Sequence, residues 1–339
     1  MLPMKIVLAP MRALTQPPFW QILNTYGPPD AFFSEFVRVH ENYVIDPSWI
    51  ETSLQAAGAT PLWVQLMGND ISALAKSVNV LERYPIAGID FNVGCPVPKI
   101  FKKQAGGGLL KDLALLRDLV FGLRDVCQKP LSVKFRIGFD ATDHFDEILD
   151  ILIEAGVDVV TLHARTVMDL YKAPPRYEFV KKAVERCPFP VFANGSIDSL
   201  EDILRVFKLT RCAGVMLGRC VLRNPWIFEQ WRCLCKHQPV KFPTWKDVYC
   251  YFQDLFYSFA LDKKPETAAL GCLKRFANYI GLGVDADGIF LSQMRLSKTL
   301  GEFWKCCDRF FLKNPDHVFD GNAFPKLCAQ PNKEKADDF

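Results

Sequence analysis

Short apolar, β-branched runs recur through the first two-thirds of the chain, at 6–9, 31–33, 62–66, 89–91, 131–135, 159–162, 191–193 and 214–217. Between them lie stretches whose apolar residues return at helical spacing, among them 72–81, 113–126, 145–154 and 200–207. A strand followed by a helix, repeated, calls for parallel pairing, because each helix carries the chain back to the end where the next strand starts. Eight such runs suit a closed barrel, although an open doubly wound sheet would alternate in the same way. The polar residues decide between them. The runs end on Pro10-Met11, Glu35 through Arg38, Gln65, Asn92 through Cys95, Lys134 with Arg136, His163 with Arg165, Asn194-Gly195 and Gly218-Arg219. In a (β/α)8 TIM barrel the C-terminal strand ends meet at one mouth, where such enzymes place their sites, whereas an open sheet would spread these clusters along an edge. The expected fold is therefore α/β, with a (β/α)8 barrel over residues 1–240.

After Asn224-Pro225-Trp226 the pattern changes, and from 244 to 311 it is helical. Thr244 is a credible N-cap before Trp245, Val248, Tyr249, Phe252, Leu255, Phe256 and Phe259, an apolar stripe too broad for an isolated surface helix. Two or three further helices follow, with breaks expected near Gly281-Leu282-Gly283 and near Gly301. The pattern predicts a C-terminal all-helical domain over 241–328, packed as a small bundle, and a charged, frayed tail over 329–339.

Composition narrows the function classes. A chain of 339 residues, half of them apolar, can bury one large core and a smaller satellite, so disorder is excluded. No apolar run reaches the roughly 18 residues of a membrane helix, and residues 1–11 lack the basic flank and apolar stretch of a signal peptide. A cytoplasmic protein, monomeric and without a membrane, is expected. Twelve cysteines without a Cys-x-x-Cys pair read as reduced thiols rather than as disulfides or a metal site, and those in apolar contexts, such as Cys127, Cys187 and Cys212, read as small core residues. A net charge of +3 permits a polyanionic partner without requiring one.

The chemistry gathers at the strand ends. Asn194-Gly195-Ser196 closes the seventh strand and Gly218-Arg219 the eighth, the two positions whose loops commonly bind phosphate in these barrels through backbone N–H groups and a helix N-terminus. A single glycine there would merely end a strand. Two on adjacent strands, with Arg219 attached, point to a phosphorylated cofactor. Lys134 and His163 end strands five and six on the neighbouring side. A lysine so placed would stabilise the anion at the N1 and O2 edge of a reduced flavin, and Gln65 could hydrogen-bond the pyrimidine-like edge of such a ring. Single residues of these types are more often solvated or satisfied by the core, and their shared position at strand ends is the reason to prefer function.

Cys95 follows a buried strand in Asn92-Val93-Gly94-Cys95-Pro96, and Ala105-Gly106-Gly107-Gly108-Leu109-Leu110 comes soon after. So bare a backbone suits a loop lying close over a flat ligand, with the thiol at the rim of the site. A nucleophilic thiol would want a lowered pKa, whereas a proton donor should stay neutral, and the residues alone admit both.

At Asn92-Val93-Gly94-Cys95-Pro96-Val97-Pro98-Lys99 and at Gly106-Gly107-Gly108-Leu109-Leu110-Lys111-Asp112, the sequence resembles the tRNA-dihydrouridine synthases. The likeness runs along nearly the whole chain, through Ala9-Pro10-Met11, Val133-Lys134-Phe135-Arg136-Ile137-Gly138, Leu162-His163-Ala164-Arg165-Thr166 and Gly214-Val215-Met216-Leu217-Gly218-Arg219. Ser34-Glu35-Phe36-Val37-Arg38-Val39 and Val64-Gln65-Leu66-Met67-Gly68 are similar to the bacterial C-type branch. The resemblance implies an FMN-binding barrel followed by a helical tRNA-recognition domain, and reduction of the C5=C6 bond of a tRNA uridine with NADPH as reductant. The C-type likeness implies position 16 of the D loop, where turning the base outward loses little stacking.

It also implies roles. Pro10, Met11, Arg12, Gln65, Lys134, His163, Asn194, Gly195, Ser196, Gly218 and Arg219 would hold FMN, and Cys95 would give a proton to C5 after hydride reaches C6. Arg38, Asn92, Arg165 and Tyr171 would contact the target nucleotide, and Lys274, Tyr279 and Arg295 the tRNA. The sequence departs from the family at Gln104, where a glycine is usual, at Cys220 and Arg223, where small residues are usual, and at Cys272, where a basic residue is. A flavin barrel acting on a free pyrimidine or an enone is the competing reading; it would share the phosphate site but have no use for the helical domain.

Overall fold

The computed structural model describes residues 4–325 and 327–329. Nine parallel strands alternate with helices: β1 (Lys5–Leu8), α1 (Pro17–Tyr26), β2 (Phe32–Phe33), β3 (Val37–Arg38), α2 (Pro47–Ala57), β4 (Leu62–Met67), α3 (Ile71–Leu81), β5 (Gly88–Val93), α4 (Pro98–Phe101), α5 (Leu113–Val126), β6 (Leu131–Arg136), α6 (Phe145–Glu154), β7 (Val159–His163), α7 (Tyr177–Arg186), β8 (Val191–Asn194), α8 (Leu200–Thr210) and β9 (Gly214–Leu217). Because β1 pairs with both β2 and β9, and β2 with β4, the sheet closes on itself as an eight-position barrel. The eight runs in the sequence are its eight positions. The second position is split, with β2 and β3 lying one after the other along β4. The ladder crosses the gap at Ser34, whose N–H donates to Trp63 O at 2.9 Å and whose Oγ accepts the Gln65 N–H at 3.0 Å.

The period-two alternation of these strands assigns the two faces. Val64, Leu66, Ile89, Phe91, Val93, Leu131, Val133, Phe135, Val160 and Leu162 point outward into one continuous core with the helices. Between them Gln65, Asp90, Asn92, Ser132, Lys134, Arg136, Thr161, His163 and Asn194 alternate onto the inner face. The barrel is plugged from the N-terminal side by a separate apolar cluster of Val7, Ala9, Ala31, Phe33 and Met216, with Phe33 stacked on Trp63 at 5.6 Å. Everything polar therefore collects toward the C-terminal mouth.

Past β9 come α9 (Arg219–Arg223), α10 (Ile227–Cys235), α11 (Trp245–Ser258), α12 (Glu266–Ile280), α13 (Ile289–Leu296) and α14 (Leu300–Cys307). Thr244 caps α11 in a reciprocal capping box with Asp247. A 3-10 turn over Gly281–Gly283 ends α12 as expected. The break expected near Gly301 falls at Ser297 through Thr299, and Gly301 itself lies in the first turn of α14, where Thr299 accepts the Glu302 N–H as cap. Side chains join these helices to the barrel. Tyr26 on α1 donates its hydroxyl to Asp254 and stacks on Trp226 at 5.0 Å, and Tyr251 donates to Leu222 O at 3.1 Å. Of the expected tail, 329–339, only Ala329 lies within the described residues. No helix among them is long and apolar enough to cross a membrane.

Candidate active site

A chain of side-chain hydrogen bonds runs across the inner ends of β4 and β5. Gln65 donates to Asp90 Oδ2 at 2.5 Å and accepts from Asn92 Nδ2 at 2.8 Å. Asn92 Oδ1 in turn accepts the backbone N–H of Gly94 at 3.1 Å and of Cys95 at 2.9 Å. Gln65 and Asp90 have no exposed surface, and burial pushes the Asp90 carboxyl up to about 6 against the opposing pull of the Gln65 amide and the Lys134 charge. Gln65 is thus engaged by protein on both its amide atoms.

Cys95 sits where this chain ends, packed with Met67, Ile100 and Ala105 and against Phe36 and Val97. The glycine run closes over it. Gly107 N–H donates to Cys95 O at 3.0 Å, and Gly106 has φ +55 with so little room that a methyl group there would lie 2.8 Å from Cys95 Cβ. Only glycine meets both demands. Gln104, which departs from the family glycine, also has φ +51, so that position does need the left-handed conformation. Burial pushes the Cys95 thiol up, while Val97 N–H, Arg136, Lys134 and Arg12 pull the other way.

The opposite side of the mouth is cationic. Lys134 donates to Asn194 Oδ1 at 3.2 Å and is driven down to about 8 by burial and by Arg136. Arg136 is buried and donates to Gly94 O at 2.9 Å, Thr166 O at 2.7 Å and Leu170 O at 2.8 Å, tying the Cys95 loop to the loop after β7. His163 is held well below the ordinary imidazole range by burial first, then by Arg136, Lys134, Arg165 and Arg219. Arg165 donates to Ser196 Oγ at 2.8 Å and to Ala173 O. Tyr171 lies over this corner, 5.4 Å from the Arg136 guanidinium, 5.3 Å from that of Arg219 and edge-on to His163 at 6.2 Å.

Two buried polar atoms here, His163 Nδ1 and Arg165 Nη1, have no hydrogen-bond partner among the described residues. Gly195, at φ +114, brings its backbone within reach of both side chains: a methyl group there would lie 3.4 Å from Arg165 Nη1 and from His163 Nε2. Asn194 is anchored by donating to Met216 O at 2.7 Å, and Gly218 precedes α9, where a methyl group would lie 3.6 Å from Met11 Sδ and 3.7 Å from Ala9 Cβ. An unpaired arginine donor, surplus cations and bare backbone fit the phosphate end of an anionic cofactor. Arg223, a departure from the family, is buried behind this corner and donates to Gly321 O at 2.6 Å and Asp198 O at 3.2 Å; Cys220 is buried beside it.

On the β1 side, Met11 N–H donates to Thr15 Oγ1 at 2.7 Å, which fixes the loop carrying Pro10, Met11 and Arg12. Glu35, in the split of the second strand, faces that loop. Its Oε1 is buried without a hydrogen-bond partner among the described residues, and burial pushes its carboxyl up to about 7 although Ala13 and Leu14 N–H and Arg12 favour the charge. Sequence reasoning assigned no role to Asp90, Arg136 or Glu35. Period two would have found the first two, since Asp90 shares the Asn92 face and Arg136 the Lys134 face.

Lys274, Tyr279 and Arg295 lie away from the strand ends, on α12 and α13. Lys274 Nζ donates to Arg295 O at 2.8 Å and to Ser297 O, Arg295 donates to Asn278 Oδ1 at 2.7 Å and Cys328 O at 2.7 Å, and Tyr279 is buried. Cys272 is buried on α12 near Arg275, so this departure replaces an expected surface charge with a core thiol.

Fold and mouth together define a (β/α)8 barrel with its polar and cationic side chains gathered at the C-terminal strand ends. Among solved structures the barrel is similar to a 2-naphthoyl-CoA reductase complex, at TM-score 0.55 and 10% identity over 69% of this chain and 50% of that one, and to histamine dehydrogenase from Rhizobium sp. 4-9, at TM-score 0.51 and 12% identity over 67% and 45%. At such identities they show the fold. The dihydrouridine synthase family model matches residues 7–280, and the chain belongs to that family. Curated relatives include the tRNA-dihydrouridine(16) synthase of Neisseria meningitidis serogroup A, 30% identical over 90% of this chain and 94% of its own, and that of Haemophilus ducreyi, 34% identical over 65% and 71%.

Proposed function

We propose that this protein reduces the C5=C6 bond of a uridine in tRNA, at position 16 of the D loop, using FMN that NADPH reduces. The observation that carries the reading is the pairing of a buried thiol raised above its ordinary range with a cationic, donor-rich corner across the same mouth. The relatives' printed activity supplies the substrate and the position.

Arg165, Ser196, Gly195 and Arg219 would hold the FMN phosphate, and Lys134 its ring edge, where a cation stabilises negative charge. Bound and reduced, FMN would supply the hydride that C6 of uracil accepts. C6 is conjugated to the C4 carbonyl, so the electron pair of the C5=C6 bond shifts toward O4 and leaves a carbanion equivalent at C5. Cys95 Sγ–H then gives its proton to C5, and the thiolate recovers one from solvent. Lys134 and Arg136, which already draw the thiol pKa downward, stabilise that transient thiolate. Tyr171, half exposed over the corner, would cover the incoming base. Helices α11 to α14 would grip the tRNA backbone and set the register.

The test is to load the purified protein with FMN, supply NADPH, and offer unmodified tRNA or free uridine. Dihydrouridine at position 16 of the tRNA is expected. Turnover of the nucleoside but not of the tRNA would overturn the proposal in favour of a free-pyrimidine reductase.

A further inference from the structure

Beside the Cys95 loop is a cavity of about 500 Å³ lined by Arg38, His40, Tyr43 and Lys103. Its walls come from two elements at the mouth. Arg38 ends β3, which pairs with β4, and the turn beyond it is closed by Tyr43 N–H donating to His40 O at 2.8 Å. Lys103 follows α4 on the segment that leaves Cys95, and Asn69 at the end of β4 holds it by donating to Lys103 O at 3.0 Å. Both walls touch the thiol's own packing, through Phe36 on one side and Val97 on the other. The cavity is therefore built on the two segments that also pack around Cys95, at the second and third barrel positions, whereas Gly195 and Gly218 follow the seventh and eighth.

Its chemistry is that of a nucleotide site. The volume falls in the range of small-ligand pockets. Tyr43 is half-buried and braced edge-on by His40 at 5.8 Å, which presents an aromatic face in a fixed orientation. Arg38 and Lys103 are exposed, and neither side chain has an ion pair or hydrogen bond among the described residues. Two uncommitted cations flanking a braced aromatic suit a phosphate and a stacked base together.

We propose that this cavity binds the nucleotide adjacent in the RNA strand to the uridine being reduced, with its base against Tyr43 and its phosphate on Arg38 and Lys103. The inference rests on the function proposed above. With one base at Cys95, the strand would continue over the segments that carry Arg38 and Lys103, and a nucleotide held in the cavity would keep the target uridine out of its stack. The adenosine phosphate of NADPH shares the same chemistry, and the experiment separates the two.

The FMN-loaded protein is compared with Tyr43→Leu, Tyr43→Phe and Lys103→Ala, reading binding of unmodified tRNA, its salt dependence, and bleaching of the flavin by NADPH. Tyr43→Leu is expected to weaken tRNA binding about tenfold, within the range of lost base stacking, and Tyr43→Phe to leave it unchanged. Lys103→Ala should lower the slope of log affinity against log salt by about one. All variants should bleach with NADPH at the wild-type rate. Slowed bleaching with unchanged tRNA affinity would assign the cavity to the dinucleotide and overturn the proposal, as would wild-type behaviour in every variant. If the wild-type protein neither binds nor reduces tRNA, the proposed function itself fails and takes this inference with it.

Discussion

Asn92 Oδ1 accepts the backbone N–H of Cys95 at 2.9 Å while its Nδ2 donates to Gln65. One amide thus spans from the barrel interior to the loop that holds the thiol. Removing it leaves two loop N–H groups and Gln65 Oε1 without partners, a loss of about 1–3 kcal/mol for a buried polar group. Asn92→Ala is expected to lower kcat for dihydrouridine formation about a hundredfold, the scale of a misplacement near 1 Å, with tRNA affinity within a few-fold of wild type. A matched loss of tRNA binding would show that Asn92 acts on the substrate instead.

Cys95 is the proposed proton donor, and the site keeps its thiol neutral because burial outweighs the nearby cations. Cys95→Ala should retain FMN and tRNA binding but lose about 10²- to 10⁴-fold in rate, the usual contribution of general acid catalysis. Wild-type turnover in single-turnover assays would remove the thiol from the mechanism. Since its pKa is raised above the ordinary thiol value, no loss of rate from its ionisation is expected at neutral pH.

The barrel was legible because its strands alternate so cleanly: outward Val64, Leu66, Phe91 and Val133 define strands, while Gln65, Asn92 and Lys134 between them define a mouth. The split of the second strand at Ser34 through Phe36 was not, because a side-chain hydrogen bond to Gln65 N–H stands in for a backbone one, and no periodicity records that. The break after α13, expected near Gly301, ends at Thr299. Gly301 looks like a helix breaker, yet Thr299 two residues earlier caps a new helix whose first turn tolerates glycine. Gln65 and Asn92 could be placed at the barrel mouth from their positions at strand ends, but their mutual hydrogen bond, and so their shared hold on the Cys95 loop, needed three dimensions. Glu35 stood in a quoted motif without a role, since nothing local shows that the fold buries its carboxylate.

Lys134 titrates near 8 in the protein without an anion, so its charge is available below that pH and lost above it. An anionic ring edge or phosphate binding nearby would favour the charged form. FMN affinity should therefore weaken about tenfold between pH 7 and pH 9, one decade per pH unit above the pKa of the free protein. Lys134→Met should bind FMN more weakly at pH 7 and show little change over the same interval, followed by quenching of flavin fluorescence. An unchanged pH profile in the variant would place the titrating group elsewhere.

Glu35 carries the clearest pH signature on stability. Its carboxyl rises from 4.5 to about 7 on folding, chiefly because burial strips its water. Between those values the folded state binds the extra proton and the unfolded state does not, so stability falls as pH rises through this window and levels off above about 7. At about 1.4 kcal/mol per pKa unit, the full penalty would lie between about 3 and 4 kcal/mol, less whatever solvent reaches the partly buried group. Glu35→Gln keeps the shape and an acceptor oxygen but cannot ionise. The variant should match the wild type near pH 4.5 and become progressively more stable than it up to pH 7.5, with the gap read from denaturant midpoints at each pH. The reverse trend, a variant losing ground as pH rises, would mean that the loop N–H groups of Ala13 and Leu14 and the Arg12 charge outweigh burial, and that Glu35 works as a carboxylate clasp on the β1 loop.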